Sequence, residues 1–304
     1  FEANIIELFD KDERILAKKN VKIFNKNETI YADEMDYDKS KQTIKAKGNI
    51  KVENNEDKIQ IFSDNLDYSQ KAGTIIFYSN VQVKLENNFL LNTDKAIYNK
   101  FKDEIIINTY SKFEDKFGNS ISSEELKFLV DKKLLKIKFV EMIDEMKNKY
   151  SFENALINFN TNELIGDGIK IDFLKASFGN NDNDPRLRGN YIYSNNNVSI
   201  IKKGVFTTCK KNKDKCPPWQ FKAKEVKHDK NKKTIYYKNA WLEIYDKPVV
   251  YFPRFFHPDP TVKRQSGFLM PKFETSSSLG DSLTIPYYKV IARNKDLTLT
   301  PKIF

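Results

Sequence analysis

A short phrase that recurs about every 30 residues is the feature that most constrains how this chain can fold. The phrase consists of a small residue, then an acid, then an aromatic or apolar residue four positions after the acid. Its acids are Asp33, Asp64, Asp94, Glu124 and Glu153. A degraded copy returns between residues 223 and 241. A unit of this size cannot bury an apolar face alone, so we expect the copies to stack on one another.

Between the acids, apolar and charged residues alternate with a period of two. In residues 43–52, for example, isoleucine, alanine and valine alternate with lysine. This period predicts antiparallel strands with one apolar and one charged face, two or three to a repeat. A helical solenoid would show a 3.6-residue spacing, which is missing. Residues 124–149 are the one stretch that could be helical, but residues 136–140 alternate, and we interpret the stretch as strand.

The predicted fold is therefore all-β: an open β-jelly roll, built from repeats and folded over so that two apolar faces oppose. Two interpretations of the interior stay open, a plain protein core and a long apolar groove that holds lipid, because the composition suits both. The tentative groove-lining positions are Ile44, Ile50, Ile59, Ile61, Ile75, Phe77, Val81, Val83, Phe89, Leu91, Ile105 and Ile107.

The charge of the chain is basic, with 52 Lys and Arg against 42 Asp and Glu and a formal net charge of +10. Lysines are densest from Lys202 to Lys233, where 12 lysines face 3 acids. A basic surface attracts anionic partners. We expect no nucleic-acid binding, because no RNA-recognition signature or helix-turn-helix is present. An acidic membrane surface or phosphorylated lipid explains the charge as well as a merely solvated surface does.

Residues that carry chemistry are scarce. Cys209 and Cys216 are too few for a zinc site and are not spaced as Cys-x-x-Cys, so they are candidates for a local disulfide, a pairing beyond residue 304, or free thiols. The only histidines are His228 and His257, which leaves little material for a catalytic triad or a metal site. We therefore predict no catalytic residues, no metal, no cofactor and no enzymatic activity.

Residues 248–271 hold five of the ten prolines, together with many aromatic residues. Since proline avoids sheet interiors, we interpret this stretch as a hinge between two β units: a repeat domain at 1–246 and a second unit at 247–304. After Gly267, strands alternate between apolar and Thr or Lys residues, with a hairpin near residues 293–296. This pattern is typical of outer-membrane barrels, although a soluble sandwich gives the same signal. No apolar run of about 20 residues and no signal peptide is present, and both ends are abrupt, as in a fragment.

Five segments, taken in order, resemble the LptD family of lipopolysaccharide-assembly outer-membrane proteins, also called organic solvent tolerance protein A. They are residues 204–209, 216–219, 235–243, 248–253 and 257–271. The repeats between about residues 5 and 175 are similar to the family's periplasmic module. The resemblance implies a periplasmic jelly roll that receives lipopolysaccharide from the bridge protein LptA. It also implies an outer-membrane barrel, plugged by the lipoprotein LptE, that opens laterally to release the lipid.

The resemblance also implies roles for single residues. Cys209 aligns with a family cysteine that pairs with the barrel, whereas Cys216 is an extra cysteine that could pair locally instead. Pro253 and Pro271 are similar to lateral-gate prolines near the seam between the first and last barrel strands. The alternative functions are a soluble periplasmic β-repeat module that binds polysaccharide or lipid without a barrel, and a glycan-active enzyme.

Overall fold

The structure is a computed structural model that describes residues 1–25, 28–54, 59–85, 89–114, 118–175, 182–211, 217–259, 262, 264–269, 272–276 and 280–304. It is 73% strand, and none of the described residues lies in an α-helix. Accordingly, the described part of the chain contains no helix long and apolar enough to cross a membrane. This confirms the prediction of an all-β protein, including the strand interpretation of residues 124–149.

Within the described residues, nineteen strands form one large antiparallel sheet. They are β1 (Ile5–Phe9), β2 (Arg14–Phe24), β3 (Glu28–Asp38), β4 (Thr43–Asn54), β5 (Ile59–Ser69), β6 (Thr74–Leu85), β7 (Phe89–Asn99), β8 (Glu104–Ile107), β9 (Ser111–Glu114), β10 (Ser120–Ser123), β11 (Glu125–Leu129), β12 (Leu134–Ile143), β13 (Lys149–Asn158), β14 (Glu163–Asp172), β15 (Arg186–Ser194), β16 (Val198–Thr207), β17 (Trp219–Asp229), β18 (Thr234–Ile244) and β19 (Lys247–Pro258).

The order of the sheet follows the chain, because most strands pair with the strands before and after them. The exception is the middle, where β7 pairs with both β8 and β9, and β12 pairs with both β10 and β11. Strands β8 and β9 pair in turn with β11 and β10. The ladder thus runs without a break from β1 at one end to β19 at the other.

Each long strand of the amino-terminal half is bent at a corner near its middle. The register shifts there between adjacent strands, and residues with positive φ occupy the corners, among them Gly48, Asn49, Ser79 and Asn80. An irregularity of this kind bends a strand and increases its twist. Because the corners recur from strand to strand, the sheet folds across itself along one line, as in a jelly roll.

The acids of the repeat hold these corners. The side-chain amide of Asn49 donates to Asp33 over 2.8 Å, and that of Asn80 donates to Asp64 over 2.6 Å. In the next repeat the contact is made by the small residue before the acid: the hydroxyls of Thr93 and Thr109 lie 2.8 Å apart. All three pairs are separated by 16 residues. The recurring phrase therefore supplies one of the two side chains that hydrogen-bond at each corner, a pair that we call the clasp.

The folded sheet encloses one apolar core that includes buried residues from β2 to β18. Inward residues alternate with exposed ones along the strands, as the period of two predicted; β5, for instance, buries Ile59, Ile61, Ser63 and Leu66. The two apolar faces of the folded sheet thus supply the core, which confirms the predicted jelly-roll architecture.

Beyond β19 lie two separate three-stranded sheets. The first joins β20 (Gly267–Phe268), β23 (Tyr287–Ala292) and β24 (Lys295–Leu299), and the second joins β21 (Lys272–Ser276), β22 (Gly280–Thr284) and β25 (Lys302–Ile303). The turn between β23 and β24 is the predicted hairpin. That these strands begin a barrel stays a prediction.

The proline-rich stretch differs in part from the hinge that we predicted. Its first half belongs to β19, a 12-residue strand that pairs with β18 and ends the large sheet. Proline is tolerated there because an edge strand lacks a second neighbour. The link out of the sheet begins at Asp259, whose N–H donates to the carbonyl of Lys233 over 2.9 Å. The ladder between β18 and β19 runs from Lys247 to Pro258, beyond the predicted domain boundary at 246/247. That boundary stays a prediction.

Candidate functional site

The predicted groove-lining positions lie on β4 to β8, and those with described side chains are buried in the core. Eleven of the twelve are at most 6% exposed; the twelfth, Phe89, begins β7, but its side chain lies outside the described residues. In this half of the roll the two apolar faces are packed against each other. The lipid-lining role of these positions stays a prediction.

A cavity opens in the other half of the roll, between β13 and β19. Its volume is about 210 Å³. The apolar residues that line it are Met146, Ile171, Phe173, Leu187, Ile192, Ile201, Phe206, Val226 and Ile235. The remaining lining residues carry polar groups and are Asn148, Tyr150, Ser199, His228, Tyr237, His257 and Asp259. The cavity is therefore apolar along its walls and polar at one side, next to the segment that leaves the large sheet.

Both histidines of the chain line this cavity. The register pairs His228 of β17 with Ile235 of β18, and Ile235 with His257 of β19, so the two rings lie on one rung. His257 contacts the carbonyl oxygen of Pro258 through Nδ1 at 2.6 Å, and the hydroxyl of Tyr237 through Nε2 at 3.0 Å. A neutral ring with its proton on Nδ1 satisfies both contacts, with Tyr237 donating.

Burial keeps the side chain of His257 uncharged. Desolvation lowers the pKa of His257 from its ordinary value of 6.5, since an apolar environment disfavours the imidazolium. Desolvation likewise raises the pKa of the Tyr237 hydroxyl. His257 is thus neutral at pH 7 and presents dipoles, rather than a charge, to whatever enters the cavity.

Two further contacts close the polar side of the cavity. His228 Nε2 lies 2.7 Å from Asp259 Oδ2, which ties β17 to the segment after β19. Opposite, Tyr150 of β13 donates to Asp144 over 3.0 Å, and Asn148 donates to the same carboxylate over 2.8 Å. Desolvation, followed by the nearby Asp144 carboxylate, raises the pKa of Tyr150. The Asp144 carboxylate therefore holds both Tyr150 and Asn148 in place.

Ser199 of β16 is the register neighbour of His228 in the cavity, and its hydroxyl lies 2.8 Å from that of Ser194. No group of three or more metal ligands occurs in the described ranges. Sequence reasoning missed the site because His228 and His257 are 29 residues apart and meet only through the register of β17, β18 and β19. The signal that could have found them is the hairpin register on both sides of β18.

The remaining predicted site residues are only partly described. Pro253 lies in β19, where the register joins Lys238 to Arg254 and Ala240 to Phe252 and leaves Pro253 opposite the corner at Asn239. Pro271 and Cys216 lie outside the described residues. Cys209 Sγ is 3.7 Å from the carbonyl oxygen of Trp219. The gate role of the prolines and the disulfide candidates Cys209 and Cys216 stay predictions.

No protein-family model matches the chain. Among curated proteins, it is 34% identical over 157 residues to LPS-assembly protein LptD of Pseudomonas fluorescens, covering 49% of this chain and 16% of that protein. It is 37% identical over 105 residues to LptD of Cupriavidus pinatubonensis, covering 34% of this chain and 12% of that protein. For LptD of Pseudomonas aeruginosa the identity is 36% over 118 residues, or 38% and 12% of the two chains.

These matches confirm the predicted resemblance to LptD over up to half of the chain. The chain spans less than a fifth of the length of the curated relatives that it matches.

Proposed function

Proceeding from the similarity to LPS-assembly protein LptD, we propose that this chain is the amino-terminal portion of a protein that assembles lipopolysaccharide at the outer membrane. The jelly roll lies in the periplasm and carries lipid in its interior. Its work is transport and involves no catalysis.

The observation that carries this proposal is the apolar cavity between β13 and β19. Its walls of isoleucine, leucine, valine and phenylalanine suit acyl chains, which gain free energy by leaving water. On its polar side, Tyr237 and His257 are uncharged, so a lipid can contact them without the cost of burying their charge. It also lies where the chain leaves the large sheet, which is where a lipid would be handed to a barrel.

The roll must widen to accept a whole lipid. A volume of about 210 Å³ is below the roughly 300–1,000 Å³ of ordinary small-molecule pockets. No ladder between β1 and β19 is found in the described part of the chain, so the roll can open between the two ends of the sheet without breaking a ladder. Opening would then uncover the inward positions on β4 to β8 that are now buried.

The partners follow from the same similarity. The bridge protein LptA delivers lipopolysaccharide at β1, whose Ile6, Leu8 and Phe9 are exposed at the end of the ladder and could pair with an added strand. A barrel that continues beyond β20 and is plugged by LptE receives the lipid. Pro253 and Pro271 weaken the seam through which the lipid leaves, because proline lacks the N–H that a ladder bond requires.

Site-specific photo-crosslinking tests the interior route. A benzophenone-bearing phenylalanine analogue replaces Phe173 or Phe206 in the cavity, and Phe77 in the packed half of the core. Matched controls carry it at Phe101 and Phe139, which are 74% and 59% exposed. In cells that make the full-length protein, we expect light-dependent lipopolysaccharide adducts from the cavity positions and none from the controls.

Adducts from Phe77 as well would support opening along the whole roll. If folded protein gave no adduct at Phe173, Phe206 or Phe77, the interior route would be wrong. Adducts of equal yield at inward and outward positions would also contradict it.

A further inference from the structure

The outward face of β18 and β19 carries an ordered set of aromatic and basic side chains. Three cross-strand pairs lie on it in succession. They are Tyr236 with Phe256, Lys238 with Arg254, and Trp241 with Tyr251. We call this set the aromatic–basic face. It lies on the opposite side of the sheet from the cavity, since Tyr237 and Ala240 between these positions are buried in the core.

The central pair places two cations directly opposite each other. Like charges in that position destabilise a sheet. The same rung continues to Glu225 of β17 and Lys202 of β16. However, Glu225 forms an ion pair with Lys202, whose ammonium donates to it and holds the pKa of that carboxyl below its usual value. These four residues are three cations and one acid. Glu225 also attracts Lys238, but no carboxylate of the described residues forms an ion pair with Lys238 or Arg254.

The aromatic pairs on either side are exposed and ordered. Trp241 and Tyr251 have ring centroids 4.8 Å apart, and Tyr236 and Phe256 have centroids 5.9 Å apart. Trp241, Tyr251 and Phe256 are 41%, 44% and 57% exposed. The Tyr251 hydroxyl donates to Asn239 over 2.9 Å, which fixes the ring against the strand. Large aromatic groups are thus exposed to water on each side of two cations that form no ion pair with a described carboxylate.

We propose that the aromatic–basic face binds the surface of an anionic phospholipid bilayer. Tryptophan and tyrosine favour the interface between headgroups and acyl chains, because an apolar ring and a polar group are both accommodated there. Lysine and arginine beside them attract lipid phosphates, and an anion between Lys238 and Arg254 would relieve their repulsion. This contact is separate from the lipid route through the interior, because it lies on the other face of the sheet.

The charge pattern favours a bilayer over a single soluble anion or a nucleic acid. One bound phosphate would satisfy the cation pair but would leave both aromatic pairs in water. The aromatic rings also pair with each other at interplanar angles of 38° and 40°, so they do not form the row of parallel platforms on which successive bases of a single strand stack. A membrane interface satisfies the rings and the cations together.

Fluorescence of Trp241 tests the contact directly, because the chain has only two tryptophans. In Trp219→Phe protein, Trp241 is the sole reporter. We expect vesicles of phosphatidylglycerol and brominated phosphatidylcholine to quench it, and vesicles without phosphatidylglycerol to leave it unchanged. The Trp241→Phe protein, which retains Trp219, should show no quenching. Binding of the chain to anionic vesicles without quenching of Trp241 would place the contact elsewhere and overturn the proposal.

Vesicle flotation tests the cations. Each lysine or arginine near an anionic surface is worth about 1 kcal/mol, so Lys238→Gln with Arg254→Gln should weaken binding about 30-fold. The control is Lys112→Gln with Lys136→Gln, which removes the same charge from exposed positions outside the face. An equal loss of vesicle binding in both double variants would show that only net charge matters, and would overturn the proposal. A change in Trp241 fluorescence with inorganic phosphate or an oligonucleotide, together with no change on adding vesicles, would also overturn the proposal.

Discussion

At the scale of single residues, His257 shows how the cavity controls protonation. Its ring is buried beside Tyr237, and its two nitrogens already have partners in the neutral form. Charging this ring would place an imidazolium in an apolar environment, with the neighbouring His228 opposing it and Asp259 favouring it. Desolvation is the largest of these effects, so the folded state binds a proton less readily than the unfolded chain does.

A pH dependence of stability follows from this difference. Between the lowered pKa of folded His257 and the ordinary 6.5, the unfolded state binds more protons, so the free energy of unfolding falls as the pH falls. One titrating group can change the free energy of unfolding by at most about 1.4 kcal/mol per pH unit. Urea unfolding of wild type and His257→Gln from pH 7.5 to 5 should show a smaller slope in the variant.

The same curves supply a control, because His257 is neutral in both states above pH 7.5 and the two slopes should then agree. Parallel curves for wild type and variant over the whole acid range would contradict the assignment.

At the scale of the strand, the corner is the element that turns a flat repeat into a jelly roll. Asn80 has a φ of 54°, a conformation that costs most side chains about 1–2 kcal/mol, and its amide donates to Asp64. Gly48, with a φ of 75°, lies so close to Asp33 that a Cβ atom there would be 2.4 Å from the carboxylate. The corner thus depends on both backbone conformation and the clasp to the acid of the repeat.

Substitutions at Asn80 separate these two contributions. Asn80→Ala loses the hydrogen bond and strains the backbone, so we expect it to lower the free energy of unfolding by about 2–3 kcal/mol. Asn80→Gly loses only the hydrogen bond and should cost about 1 kcal/mol. Gln82→Ala, on the exposed face of the same strand, should change stability by less than about 0.5 kcal/mol. Equal stability of the Ala and Gly variants in urea unfolding would show that the backbone conformation contributes nothing.

At the scale of the whole molecule, the large sheet and the two small sheets are separate hydrogen-bonded units in the described residues. Strand β19 belongs to the large sheet, where Phe252 and Phe255 pack against Phe221. The sheet should therefore be complete without the residues after Asp259, and incomplete without β19.

Two truncations test this division. A chain that ends at Asp259 should melt within about 3 °C of the full chain. A chain that ends at Asp246 loses the burial of Phe252 and Phe255, about 1.5–3 kcal/mol each, and should melt about 10 °C lower. Thermal unfolding followed by circular dichroism measures both. Equal melting of the two truncations would place the boundary at 246/247, as the sequence predicted.

The sequence predicted most of the fold because the repeat and the period of two are local signals. Asp33 and Asp64 marked the repeat, and the alternation around Ile44 and Ile61 identified the inward face. What local signals could not supply was the partner of each acid. Asn49 and Asn80 lie 16 residues later in the chain and reach the acids only after neighbouring strands pair.

The candidate site could not be predicted from local sequence patterns for the same reason. His228, Tyr237 and His257 sit on three strands, and nothing near them in the chain distinguishes them from ordinary strand residues. Likewise, Lys238 and Arg254 are unremarkable among 52 basic residues until the register sets them face to face.

The sequence by itself therefore determined an all-β repeat protein, its inward face and its resemblance to LptD, because these depend on spacing along the chain. Only the tertiary structure decided that β19 is the last strand of the large sheet, that the interior is packed at one end and open at the other, that the two histidines share one rung, and that Lys238 lies opposite Arg254. These features depend on strand register, which joins residues far apart in the chain.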